Sequence, residues 1–103
     1  MGVPHTLNYA FQGVAAAGTA EVITATATYA QSAFFVAKKE GAVNVGNVYL
    51  GTSTVDKTSY QMIVLEPGDT FNMPINGGLL DLNTVYVDAA NNDDGVVCLY
   101  ITP

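Results

Sequence analysis

Apolar and polar residues alternate with a two-residue period through most of this chain, and turn-forming residues break the alternation about every 8–12 positions. That rhythm excludes helical bundles and predicts strands. Seven short ones are expected. Residues 20–28 (AEVITATAT) alternate threonine with Ile23, Ala25 and Ala27. Ala33–Ala37, Val48–Leu50, Gln61–Leu65, Thr70–Met73, Val85–Val87 and Val96–Ile101 complete the set. Between two of them, Glu66-Pro67-Gly68-Asp69 carries a type II turn signal: proline presets φ and glycine accepts the positive φ that follows. Ala89–Gly95 (AANNDDG) reads as a hairpin loop, and Asn76-Gly77 fits either a type I′ turn or a longer loop. The expected fold class is all-β: a compact β-sandwich or jelly-roll-like barrel.

Residues 1–18 read differently. Leu7, Tyr9 and Phe11 alternate and Val14 follows, but no pairing partner lies nearby in sequence. We expect an extended N-terminal arm over 1–18 that docks on another subunit or a partner, followed by one β-sandwich domain over 19–103. An ordinary first strand is the competing reading.

Composition closes off several functions. At 103 residues the chain is one domain. Lys38, Lys39 and Lys57 are its only basic residues, against nine acidic ones, for a net charge of −6. Nucleic-acid binding needs a basic footprint to displace counterions, and an anionic membrane surface needs the same, so neither is expected as a partner. Only 12% of residues are charged, where roughly a quarter is usual. Uncharged polar residues must therefore keep much of the surface wet, or another chain must cover part of it. The N-terminal segment has no basic region followed by a long apolar core, and no apolar run approaches the ~20 residues of a membrane span. A soluble chain made in the cytoplasm is expected.

A search for chemistry finds no catalytic constellation. The one histidine, His5, lies on the arm, where a general base cannot be held in place. The one cysteine, Cys98, sits in the most apolar strand with no cation in adjacent sequence to activate it, which predicts an inert core thiol. A Ser/His/Asp or Cys/His set would have to use His5. The DAANNDDG stretch is rich in oxygen ligands but lacks the glycine and terminal glutamate spacing of an EF-hand. Paired carboxylates have no tryptophan or arginine beside them to hold a sugar. Phosphate-cradling glycine motifs are absent, and a cupin-like metal centre would need two or three histidines. No catalytic residue, cofactor or metal is expected. The candidate contact residues are instead Leu7, Tyr9, Phe11 and Val14 of the arm, with Tyr29 and Tyr60 near strand ends, tyrosine being enriched at interfaces.

From Gly46 to Ile101 the chain reads GNVYLGTSTV, then LEPGDTFNMPI, then LNTVYVDAANNDDGVVCLYI. In that order these pieces resemble small β-rich structural proteins of tailed bacteriophages, most of all head decoration (capsid cement) proteins. The resemblance covers about half of the chain. It implies a non-enzymatic virion component on the capsid exterior, partnered with the major capsid protein and assembled as a homotrimer. The same kind of domain occurs in tail and fibre proteins, which implies as the alternative a module that binds a host surface or glycan.

Overall fold

The computed structural model describes residues 4–103, all-β apart from one short 3-10 turn at Leu82–Thr84. Twelve strands form two four-stranded antiparallel sheets and two small ladders. In chain order they are β1 (Thr6–Gly13), β2 (Glu21–Val22), β3 (Tyr29–Ala30), β4 (Ser32–Val36), β5 (Lys38–Lys39) and β6 (Ala42–Val43). Then follow β7 (Val48–Gly51), β8 (Ile63–Leu65), β9 (Thr70–Asn72), β10 (Leu80–Asp81), β11 (Tyr86–Ala89) and β12 (Gly95–Thr102). The first sheet has the order β1-β12-β4-β9 and the second β2-β11-β7-β8, while β3 pairs with β10 and β5 with β6. Pairing is nested: first strand with last, second with second-last, then β4 with β9 and β7 with β8.

Six of the seven expected strands correspond to β4, β7, β8, β9, β11 and β12. The seventh does not. Residues 20–28 contribute only the two residues of β2 and then run as a loop whose backbone is held by side chains: Thr28 N–H donates to Asp81 Oδ1 at 2.9 Å, and Asn83 Nδ2 to the Thr24 carbonyl at 2.7 Å. Threonine–alanine alternation satisfies the pattern of a strand but supplies little apolar area to hold one in a sheet.

The arm is the larger correction. Residues 6–13 are the edge strand β1, paired with β12 over eight registered positions from Thr6↔Thr102 to Gly13↔Gly95; residues 1–3 lie outside the described part. Close approach of the two strands rests on Gly95, where a β-carbon would run into the Gln12 carbonyl and lie 2.8 Å from the Gly13 Cα. Val14 follows at zero exposure, its N–H donating to the Asp94 carbonyl at 2.8 Å.

The Pro67-Gly68 turn forms as expected, with Gly68 at φ 86 and Asp69 N–H closing on the Glu66 carbonyl at 2.9 Å. It joins strands of different sheets, however, and so does Ala89–Gly95, which is therefore not a hairpin loop. Asn76-Gly77 lies in the longer β9–β10 connection. The core sits between the two sheets. Phe35, Val96 and Cys98 fill it from the first, and Val48, Leu50, Leu65, Val87 and Ala89 from the second.

Candidate functional site

The outward faces of the two sheets differ in what covers them, although each leaves some apolar surface exposed, Val64 at 45% on the second sheet among it. On the second sheet, Asp88 and Tyr49 stand opposite each other on neighbouring strands, facing away from the core, yet they are 0% and 6% exposed. Two loops roof them. The Asp88 carboxylate accepts the Gly18 N–H (2.9 Å) and its own neighbour Ala89 N–H (2.8 Å) on Oδ1, and the Lys57 N–H (2.8 Å) on Oδ2. A buried carboxylate must be compensated in this way. Within the second loop, amides of Ser59 and Thr58 donate to Asp56 and hold its carboxyl below the usual carboxylate range.

A second buried carboxylate, Asp94, joins the first sheet to the Asn44 loop. Its oxygens accept Val45 N–H at 2.9 Å and Gly46 N–H at 2.8 Å, with the Lys39 ammonium 3.7 Å away. Beside it the Asn44 amide exchanges two hydrogen bonds with the Gly95 backbone, at 2.8 and 3.0 Å. All these oxygens are spent on the protein's own amides, so the cluster is a clamp.

The outward face of the first sheet has no roof of this kind. Register places Leu7, Tyr9 and Phe11 of β1 beside Ile101, Leu99 and Val97 of β12, and these beside Ser32, Phe34 and Val36 of β4. Thr70 and Asn72 of β9 complete the face. No outward position on the four strands carries a charge. Leu7 is 67% exposed, Tyr9 55% and Leu99 37%. At its β4 side the face runs into a shallow depression of about 380 Å³ between Val36, Gly68 and the β5–β6 turn.

Of the expected contact residues, the structure thus brings Leu7, Tyr9 and Phe11 together on one face. Val14 is corrected: it is a core residue. Counting parity explains why, because the alternation that turns Leu7, Tyr9 and Phe11 outward turns even-numbered positions inward. Tyr29, in β3, and Tyr60, in the β7–β8 loop, are both exposed but belong to other parts of the molecule. Sequence reasoning missed Phe34, Val36, Leu99 and Ile101, although the alternation within the β4 and β12 runs carried the signal; Val97, on the same face, is buried.

Cys98 points into the core, where burial pushes its thiol up to about 12. His5 is exposed just before β1. Among the described residues no group of three or more histidine, cysteine or acidic side chains could hold a metal ion, and no helix is long and apolar enough to cross a membrane. No family model, no curated protein and no solved structure matches the chain.

Proposed function

We propose that this chain is a non-enzymatic contact protein of a bacteriophage virion, a head decoration protein that seats the uncharged outer face of its first sheet on the outside of the assembled shell. The observation that carries the reading is that face: free of charge, with Leu7, Tyr9 and Leu99 left open, whereas on the opposite face buried hydrogen bonds close over Asp88 and Tyr49 and leave Val64 exposed. An exposed apolar patch on a small domain marks an interaction surface. The motif resemblance over Gly46–Ile101 supplies the partner, the major capsid protein, the trimeric grouping and the virion location, with synthesis in the host cytoplasm. We also read the nested eight-strand pairing as a jelly roll, an architecture common among viral capsid domains.

The mechanism is linkage. A protein that binds the assembled lattice and not the free subunits shifts the equilibrium toward the shell. Grouping copies around a local threefold multiplies the contacts each one makes and raises the effective affinity. Burying what remains exposed of Leu7, Tyr9 and Leu99 contributes on the order of 1–2 kcal/mol per side chain.

The test is the protein content of density-purified heads and tails from an infected lysate, followed by rebinding of purified chain to heads. A fixed ratio to the major capsid protein, and loss of rebinding by Leu99→Lys with its β fold intact, is the expected result. Travel with tails at low copy number, or absence from both fractions, overturns the proposal.

A further inference from the structure

Strand β1 ends the first sheet, and among the described residues no strand pairs with its other side. We propose that this edge pairs, antiparallel and about a twofold axis, with β1 of a second copy of the chain.

The edge is built for a strand and for little else. It is eight residues long, with neither charge nor proline between Thr6 and Gly13. Natural sheet edges are normally blunted by lysine, proline, a bulge or a covering loop, and a long flat edge without them is a template for pairing. The partner's identity follows from charge and pattern. Each chain carries a net charge of −6, and β1 brings none of it to the contact.

Register follows from the backbone. Val14 N–H points to β12, where it meets the Asp94 carbonyl, so alternation turns the amides and carbonyls of Leu7, Tyr9 and Phe11 toward the free side. The Gly13 carbonyl already accepts the Gln12 side chain at 2.8 Å, which ends the available edge before Gly13. A twofold centred on Tyr9 uses what is left. It sets Tyr9 against its counterpart and Leu7 against Phe11 of the partner, aromatic and apolar cross-strand pairs of the kind that stabilise sheets. On the other face Asn8 meets Ala10. The outcome is one continuous eight-stranded sheet whose outward apolar faces merge. A twofold contact closes at two copies, so it is distinct from the threefold grouping proposed above and would join copies of neighbouring threefolds.

Site-directed disulfides test this on the full chain, because a disulfide needs Cα atoms within about 7 Å. Tyr9→Cys should give a covalent dimer on mild copper-phenanthroline oxidation. Leu7→Cys should not, since the twofold separates the two copies of that position by about 13 Å along the strand. The double variant Leu7→Cys/Phe11→Cys should restore the dimer. Wild type, with Cys98 buried, is the blank, and circular dichroism checks each variant's fold. No dimer from folded Tyr9→Cys, or equal dimer from Leu7→Cys, overturns the pairing. Cross-linking without head binding would overturn the proposed function and leave the pairing standing; head binding without cross-linking would do the reverse.

Discussion

Replacing Asp88 should release the roof of the second sheet in two graded steps. Its carboxylate is fully buried and accepts three backbone N–H groups at 2.8–2.9 Å, from Gly18, Lys57 and Ala89. Hydrogen bonds to a charged group contribute about 1.5–3 kcal/mol each, offset here by the cost of holding a carboxylate out of water. In Asp88→Ala the Ala89 amide is orphaned within the sandwich, while Gly18 and Lys57, on loops, can turn to solvent as the roof lifts from Tyr49. A loss of about 3 kcal/mol is expected, a large share of the 5–15 kcal/mol typical of a domain. Asp88→Asn keeps the shape. Its amide oxygen can still accept from Gly18 and Ala89, but its NH₂ now faces the Lys57 N–H, one donor against another, for a loss of about 1–2 kcal/mol. Urea unfolding followed by circular dichroism measures both, and amide exchange at Gly18 and Lys57 reads the roof directly. Both variants within about 0.5 kcal/mol of wild type, or asparagine costing more than alanine, would refute the reasoning.

Two further outcomes follow from the same structure. Cys98 has its thiol raised to about 12 by burial, from an ordinary value of 9.0. Below pH 9 both folded and unfolded chains hold the proton; between 9 and 12 only the folded chain does, so stability falls as pH rises, by up to about 1.4 kcal/mol per pH unit. Subtracting the alkaline stability profile of Cys98→Val from that of wild type should isolate this slope, and parallel profiles would sink it. Removing residues 1–13 strips the edge strand that covers β12, so the truncated chain should lose cooperative unfolding and expose Cys98 to a thiol reagent; an intact two-state transition with an unreactive thiol would show that β1 is dispensable.

What the sequence made legible is what depends on neighbours in sequence. Alternation located β4, β7, β8, β9, β11 and β12 to within a residue or two, and Pro67-Gly68 announced its turn because proline and glycine fix φ locally. What it hid depends on partners far along the chain. Strand β1 looked like an arm because its partner, β12, is the last strand, and no local signal reports a pairing between opposite ends. The Glu66–Asp69 and Ala89–Gly95 turns were recognisable, but a turn's geometry does not say which sheet the next strand joins. The outward face of the first sheet was half legible: Leu7, Tyr9 and Phe11 stand out by alternation, and Val14 joins them only against its parity. Asp88 left a trace too. A carboxylate inside the apolar run VYVDAA is either exposed or compensated, and only the fold says which.

The difference between the two outward faces comes down to which side chains occupy equivalent places on paired strands. On β11 an outward position holds Asp88, and a buried carboxylate can bind down amides from two loops at once. On β12 the outward positions hold Val97, Leu99 and Ile101, which have nothing with which to fasten a loop. A roof over that face would have to be held by apolar contact alone, and among the described residues Val97 is buried while Leu7, Tyr9 and Leu99 are left uncovered. Leaving Leu7, Tyr9 and Leu99 exposed is costly for solubility in a protein with 12% charged residues and none on the face itself. Covering it from outside resolves both problems. On the proposed reading the apolar side chains lose their water there, and the amides and carbonyls on the free side of β1 gain partners that no other strand supplies among the described residues. On that reading the monomer is the incomplete state, and the face and edge of the first sheet are where other chains complete it.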